Sequence, residues 1–208
     1  GVENIRNTTL LTRQAFNESV DFDIPDRFFL VTFHPATLEA ESAMSQIKEV
    51  LNALEHFNDY FVIFTKSNAD EKGRLINSMI EKYCEKSKMA VAVSSLGHLR
   101  YLSALKFTDA VIGNSSSGII EAPSFGVPTI NIGSRQQGRV KPDSVLDCEP
   151  IADKIIDTIN KALDPQFKTR IKSIQNPYEK QGTSKKIKQT LTRVRLNKLG
   201  SKEFYDLV

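Results

Sequence analysis

The sequence predicts an α/β fold, a Rossmann-like parallel sheet with helices on both faces. Three observations lead to this class. Five short runs of β-branched and aromatic residues recur along the 208-residue chain, segments with a helical apolar period separate them, and small or polar residues follow each run. Strands and helices that alternate at this spacing form parallel sheets through right-handed crossovers.

The predicted strands are apolar runs, as expected of strands that are buried on both faces. The first, FFLVTF, covers residues 28–33, and the second, YFVIF, covers residues 60–64. The remaining three are MAVAV at 89–93, AVI at 110–112 and TINI at 129–132.

The predicted helices lie between and after these strands. Residues 38–57 carry apolar side chains at a helical period, from Met44 to Phe57. Pro123 removes one helical hydrogen bond and Gly126 favours an end, so the helix at 117–125 is expected to be short or kinked. The other predicted helices cover residues 70–86, 98–106, 150–162 and 184–199.

Two units are predicted along the chain. Residues 1–182 form the ligand-binding Rossmann-like domain, and residues 183–208 form a basic helix and tail. This basic helix is either a solvated surface helix or a segment that docks on another domain. Residues 1–7 have the character of a linker rather than a helix start, so the chain is expected to be part of a longer protein.

Composition excludes several classes of protein. The chain has 28 basic and 25 acidic residues and a net charge of +3, which does not favour a nucleic-acid partner. No apolar run is long enough to span a bilayer, and no signal pattern opens the chain. Cys84 and Cys148 lie far apart and outside metal-ligand spacing, so we expect a reduced, cytoplasmic protein without a metal or cofactor.

Polar or small residues follow all five predicted strands. They begin at His34, Lys66, Ser94, Gly113 and Gly133. The carboxyl ends of parallel strands meet at one edge of a sheet, where open α/β folds bind their ligands. The sequence therefore predicts a single site at this edge.

The loop after the fourth strand has the composition of an anion site. Gly113 and Gly118 permit close backbone approach, and the three serines between them offer hydroxyl donors at a predicted helix N-terminus. Glu121 lies four residues after Ser117 and suits a vicinal diol such as that of ribose. Alternatively, Ser117 only caps the helix and Glu121 is a first-turn charge.

Two further side chains are candidates at the same edge. Arg135 follows the fifth strand, and with Arg139 it could hold a diphosphate through bidentate hydrogen bonds. Each arginine could equally be a solvated surface residue. His34 precedes a proline and could instead be a structural histidine.

The chain resembles the UDP-N-acetylglucosamine 2-epimerase family, and within it the hydrolysing branch of sialic-acid biosynthesis. The resemblance lies in GVENIR at residues 1–6, VTFHPATLE at 31–39, IGNSSSGIIEAPSFGVPTINIGSRQQGR at 112–139 and KEFYD at 202–206. The arginine-rich motif and the Thr-Glu-Arg-Pro-like stretch of the non-hydrolysing branch are absent from the sequence.

This resemblance implies the second domain of a GT-B-type two-domain fold. It also implies a reaction in which UDP-N-acetylglucosamine and water give N-acetylmannosamine and UDP. The acidic residues that transfer protons in the family lie in the N-terminal domain, which the chain lacks, so this domain is an expected partner and the chain alone is expected to be inactive. A homo-oligomer is expected for the full-length protein.

The resemblance also implies roles for individual residues. Ser115 and Ser116 match the serines that bind the diphosphate, Arg135 matches the arginine that contacts phosphate, and Glu121 matches the glutamate that binds ribose.

Three more positions come from the same comparison. His34 matches the catalytic histidine, Asn68 matches an asparagine of the substrate pocket, and Leu96 falls in the loop near the uracil.

Two other functions are consistent with the same residues. The chain could be the donor domain of a GT-B glycosyltransferase, whose second domain uses a similar loop and glutamate, or a nucleotide-sensing module without catalysis. If the chain is part of an epimerase, the sugar of its substrate could be a 2,4-diacetamido sugar in place of N-acetylglucosamine.

Overall fold

A computed structural model of the chain describes residues 2–35, 40–68 and 70–194. Its centre is one six-stranded sheet in which every neighbouring pair of strands is parallel, in the order β3-β2-β1-β4-β5-β6. The strands are β1 (Phe28–Thr32), β2 (Phe61–Thr65), β3 (Ala90–Val93), β4 (Ala110–Gly113), β5 (Thr129–Ile132) and β6 (Val145–Cys148). The predicted fold class is confirmed.

Helices cover both faces of this sheet. They are α1 (Val2–Asn7), α2 (Arg13–Glu18), α3 (Ala40–Leu54), α4 (Glu71–Lys86), α5 (Gly97–Phe107), α6 (Ser117–Ile120), α7 (Ala152–Leu163), α8 (Pro165–Ile171) and α9 (Thr183–Arg193). A short 3₁₀ helix, Ala122–Phe125, follows α6. Within the described ranges, no helix is both long and apolar enough to cross a bilayer.

The strands alternate their side chains between two apolar layers. Phe29 and Val31 pack on one face with α3, α4 and α7, whereas Phe28 and Leu30 pack on the other with α2 and α5. All four side chains are completely buried. Because each buried aromatic or branched side chain contributes about 1.5–3 kcal/mol, the central strand β1 anchors both layers of the core.

The strand order reverses between β1 and β4. From β1 the chain winds outward through β2 to β3, and it then returns to the other side of β1 and continues to β6. Such a reversal leaves a crevice at the carboxyl ends of the two central strands, because their following loops run to opposite sides. His34 and the 113–118 loop both lie at this crevice.

Two sequence-based assignments at the edges of the fold are wrong. Residues 2–7 form α1 rather than a linker, because Val2 is buried and the Glu3 carboxylate accepts hydrogen bonds from the backbone of Gly182 and Ser184. Strand β6 was not predicted, since it carries Asp147 and is only partly buried at the edge of the sheet.

The predicted short helix after the serine loop is confirmed. α6 ends at Ile120, and Gly126 ends the following 3₁₀ turn in the left-handed conformation, with φ = 63°. The predicted basic helix is observed as α9, with no buried residue within it. The C-terminal end of that predicted helix and the KEFYD segment at 202–206 lie outside the described residues.

Candidate functional site

Close contact between β1 and β4 forms the floor of the site. Thr32 and Gly113 are partners in the sheet register, and Gly113 has φ = 129°. A Cβ atom at Gly113 would lie 1.9 Å from the carbonyl oxygen of Thr32. Only glycine therefore allows the chain to leave β4 beside β1.

Asn114 links the two central strands beyond their ends. Its Oδ1 accepts a hydrogen bond from the backbone N–H of His34 at 2.7 Å, and its Nδ2 donates to the carbonyl of His34 at 2.8 Å. The side chain is almost fully buried, with 2% exposure. Sequence reasoning did not assign Asn114 to the site, although a polar residue directly after a buried strand was an available signal.

His34 is held as a neutral imidazole. Its Nδ1 lies 3.1 Å from the hydroxyl of Ser67 at the end of β2. Burial lowers the pKa of His34, Arg135 lowers it further, and Asp70 opposes the change. These effects favour the uncharged ring. One of its nitrogens is directed to Ser67, and no hydrogen bond among the described residues uses the other.

The loop that carries Ser67 is fixed by α4. Asn77 accepts from the Ser67 N–H at 2.8 Å and donates to the Ser67 carbonyl at 3.2 Å. Asn77 thus bonds both backbone polar groups of Ser67, as Asn114 bonds both of those of His34. Each residue of the His34–Ser67 contact is therefore anchored by an asparagine from another element.

Arg135 places a positive charge beside the serine loop. Its Nη1 donates to the Asn114 carbonyl at 3.0 Å, and the buried Gln136 side chain donates to the same oxygen at 2.7 Å. Burial and then Arg139 lower the pKa of Arg135, yet a guanidinium remains charged at neutral pH. Because Arg135 is exposed, its other N–H groups are accessible to an anion.

The serine loop supplies further donors. Ser115 and Ser116 are partly exposed, and no hydrogen bond among the described residues uses the backbone N–H of either one. The sequence interpretation relied on a helix dipole at this point, but α6 has only four residues, too few for a substantial macrodipole. Any anion preference therefore rests on these N–H and hydroxyl groups together with Arg135.

Ser117, the first residue of α6, and Glu121, the residue after its last, form a partly exposed pair. The Ser117 hydroxyl donates to Glu121 Oε2 at 2.5 Å, and helix α6 has no side-chain cap. The alternative that Ser117 serves as the cap is therefore wrong. Glu121 keeps unoccupied carboxylate lone pairs, which suit the hydroxyls of a diol.

Close packing of α6 on β5 fixes how near the serine loop lies to the sheet. A Cβ atom at Gly118 would lie 2.6 Å from Thr129 Cγ2, and the Thr129 hydroxyl donates to the Gly118 carbonyl at 2.7 Å. Glycine at this position lets the short helix lie directly on the sheet, which holds Ser117 and Glu121 beside the crevice.

The last two predicted residues differ in their accessibility. Asn68 is exposed one residue beyond Ser67, where a ligand could reach its amide. Leu96 has only 3% exposure, and its side chain packs in the layer that contains Phe28. A ligand could therefore contact the loop at Leu96 only through backbone groups, including those of Gly97, which has φ = 68°.

The strand order and its reversal between β1 and β4 define a Rossmann-like domain. The chain belongs to the UDP-N-acetylglucosamine 2-epimerase family, whose model matches residues 2–192. The resemblance found in the sequence is thus confirmed at the level of the family.

Two curated relatives are each 37% identical to this chain. One is the Campylobacter jejuni GDP/UDP-N,N'-diacetylbacillosamine 2-epimerase (hydrolyzing), matched over 98% of this chain and 53% of that protein. The other is the polysialic acid biosynthesis protein P7 of Escherichia coli, matched over 100% of this chain and 53% of that protein. The chain therefore spans about half the length of these relatives.

A solved structure shows the same fold. The UDP-GlcNAc 2-epimerase of Methanocaldococcus jannaschii, crystallised in complex with UDP-GlcNAc and UDP, superposes with a TM-score of 0.68 at 20% identity. The match covers 92% of this chain and 51% of that one. The predicted GT-B architecture is confirmed.

Proposed function

We propose that this chain is the UDP-binding half of a hydrolysing UDP-sugar 2-epimerase. The observation that carries the proposal is the meeting of His34, Arg135 and the serine loop around Asn114, at the point where the strand order reverses. The name of the Campylobacter relative, which includes "hydrolyzing", supports the hydrolytic outcome.

Each group has a proposed part in binding UDP. The N–H and hydroxyl groups of Ser115 and Ser116 bind the diphosphate, and Arg135 holds it with two parallel N–H donors. Glu121 accepts hydrogen bonds from the ribose hydroxyls. A neutral His34 donates one ring N–H to the leaving oxygen without the desolvation cost of a buried imidazolium.

The proposed reaction has two steps. The C1–O bond of the sugar breaks, UDP leaves with the bonding electrons, and the C2 proton is removed, which gives a glycal. Water then adds its hydroxyl to C1 and a proton returns to C2 with inverted configuration, so UDP-N-acetylglucosamine and water give N-acetylmannosamine and UDP. The chain stabilises the negative charge that develops on UDP.

The proton-transfer groups are proposed to come from the half of the relatives that this chain does not match. General acid–base catalysis requires groups within hydrogen-bond reach of the substrate. We expect the isolated chain to bind UDP weakly and to release no N-acetylmannosamine. Turnover by the isolated chain would refute this division of roles.

The division of the chain at residue 182 follows from the same proposal. Residues 1–182 hold the UDP site, while α9 exposes Ile187 and Leu191 on its surface. We propose that residues 183–208 dock on the other half of the protein.

Two sugars are candidates for the substrate. The polysialic acid relative favours N-acetylglucosamine, because N-acetylmannosamine is the product expected on the way to sialic acid. The Campylobacter relative favours a 2,4-diacetamido sugar, N,N'-diacetylbacillosamine. Parallel assays with the two UDP-sugars would distinguish them.

The binding proposal is tested by thermal unfolding of the chain with UDP, UMP or AMP. A ligand that binds only the native state raises the melting temperature. We expect the largest increase with UDP, a smaller one with UMP and none with AMP. Equal increases with UDP and AMP would refute a uridine-selective site.

The reaction is tested on the full-length protein with UDP-N-acetylglucosamine and no acceptor. Release of N-acetylmannosamine and UDP supports the hydrolysing epimerase. A reaction that begins only when an acceptor sugar is added would support a GT-B glycosyltransferase instead. UDP binding without either reaction would indicate a nucleotide-sensing module.

A further inference from the structure

Tyr101 lies near the Ser117–Glu121 pair and contributes no group to the proposed UDP site. It projects from α5, which packs against the 3₁₀ helix that follows α6. Its ring joins the apolar layer that contains Phe28 and Phe125. A phenylalanine would satisfy this packing, so the hydroxyl requires a separate explanation.

The hydroxyl of Tyr101 is fully buried and makes no hydrogen bond of normal length and angle to any residue that the structure describes, although the Ser117 hydroxyl lies close enough to act on it. A buried hydroxyl without a partner is costly, by about 1–3 kcal/mol. Burial raises the pKa of Tyr101 to about 12, the nearby Ser117 hydroxyl opposes the rise, and the Glu121 carboxylate adds to it. The phenol therefore stays protonated and is a donor, and Ser117 and Glu121 are polar side chains that act on it.

The hydrogen-bonding capacities of Tyr101, Ser117 and Glu121 determine which of them donates to which. An ionised Glu121 can only accept, so the short 2.5 Å contact uses the proton of Ser117. The Ser117 oxygen then retains lone pairs, and the Tyr101 hydroxyl, on which Ser117 and Glu121 act, is a donor that can use one of them. A chain of hydrogen bonds polarised in one direction strengthens each of its members.

We propose that Tyr101 is a positioning residue for the ribose of the bound nucleotide, donating to Ser117, which in turn donates to Glu121. This inference rests on the proposed function, because it assigns the free lone pairs of Glu121 to the ribose hydroxyls. The relay holds one side of the carboxylate and leaves the other side directed at the diol. Tyr101 itself does not touch the ligand.

The test compares the affinities of the chain for UDP and for 2',3'-dideoxy-UDP, measured by calorimetry. In the unaltered chain, we expect UDP to bind more tightly, and the ratio of the two dissociation constants measures recognition of the ribose hydroxyls. Tyr101→Phe keeps the ring in the core and should reduce this ratio about fivefold, the factor that one net hydrogen bond represents.

Two variants serve as controls. Tyr83 is another partly buried tyrosine whose pKa is raised to about 12, but it lies on α4, so Tyr83→Phe should leave the ratio unchanged. Ser117→Ala breaks the relay, and adding Tyr101→Phe to it should cause no further loss. Thermal unfolding checks that each variant is folded.

The possible outcomes distinguish failure of the Tyr101 relay from failure of the proposed ribose contact at Glu121. If Tyr101→Phe weakens both nucleotides equally, or neither, the relay is refuted while the UDP site stands. If the unaltered chain binds both nucleotides equally well, Glu121 does not recognise the ribose, and the relay falls with that assignment. A selective loss of UDP affinity that disappears in the Ser117→Ala background supports the relay.

Discussion

Asn114 holds His34 in place through both backbone polar groups of that residue, at 2.7 and 2.8 Å. The contact crosses from β4 to β1, the two strands between which the sheet order reverses. A buried asparagine thus connects the serine loop to the candidate catalytic histidine. A substitution that displaces either segment should therefore displace the other.

The first prediction concerns this link. Asn114→Ala should lower the free energy of unfolding by about 2–4 kcal/mol, because it leaves the N–H and carbonyl of His34 without partners. Urea denaturation measures the loss, and the UDP-induced rise in melting temperature should disappear with it. The exposed Asn52 on α3 provides the control, since Asn52→Ala should change stability by less than about 0.5 kcal/mol. An equally small effect at Asn114 would contradict the anchoring role.

The second prediction separates the two arginines after β5. Arg135 is bonded to the Asn114 carbonyl, whereas Arg139 is exposed farther along the loop. Arg135→Ala should weaken UDP binding more than tenfold and uridine binding much less, because a charged hydrogen bond to phosphate is lost. Arg139→Ala should change both affinities less. Titration calorimetry with the two ligands tests this, and equal losses for the two variants would argue against a dedicated role for Arg135.

The third prediction concerns the packing of α6 on β5. Gly118→Ala should destabilise the protein by about 1–3 kcal/mol, because the new methyl would lie 2.6 Å from Thr129 Cγ2. Thr129→Ser removes that methyl and keeps the hydroxyl that bonds Gly118. The double variant should therefore be more stable than Gly118→Ala alone in urea denaturation. If the second change brings no recovery, the clash is not with Thr129.

The fourth prediction follows from the neutral state of His34. Its pKa is lowered in the folded chain, mainly by burial, so below about pH 6.5 the unfolded chain binds the additional proton. The contribution of His34 to stability is complete above that pH and is lost as the pH falls through the folded value. His34→Asn should therefore flatten the decline in unfolding free energy below pH 6.5. The exposed His98 is the control, and an identical flattening in His98→Asn would contradict the assignment to His34.

The central part of the fold was predictable because its signals are local. Continuous apolar runs mark strands β1 to β5, and Pro123 and Gly126 mark the broken helix after the serine loop. The sixth strand escaped prediction because an edge strand needs no continuous apolar run, and Asp147 interrupts it. Helix α1 escaped prediction because its contacts are with residues about 180 positions away, such as Ser184.

The candidate site, like the fold, was predictable from the sequence only in part. The sequence indicated His34, Arg135, Glu121 and the serines, because their residue types suit an anion and a diol and they follow strands of one sheet. It assigned no role to Asn114 or Gln136, whose hydrogen bonds join segments that follow different strands, or to Tyr101, for which we propose a positioning role. The role of Leu96 stays a prediction, and because its side chain belongs to the core, only backbone groups of its loop could contact a ligand.

The sequence by itself determined the fold class, the family and the residue types that suit a diphosphate and a ribose, because these depend on short-range pattern and on the chemistry of single side chains. Only the tertiary structure decided which of these groups meet and in what charge state. Burial and then Arg135 lower the pKa of His34, which favours its neutral form, and Asn114 after β4 bonds to His34 after β1. Both effects depend on neighbours that are distant in the chain, and no local pattern of residues encodes them.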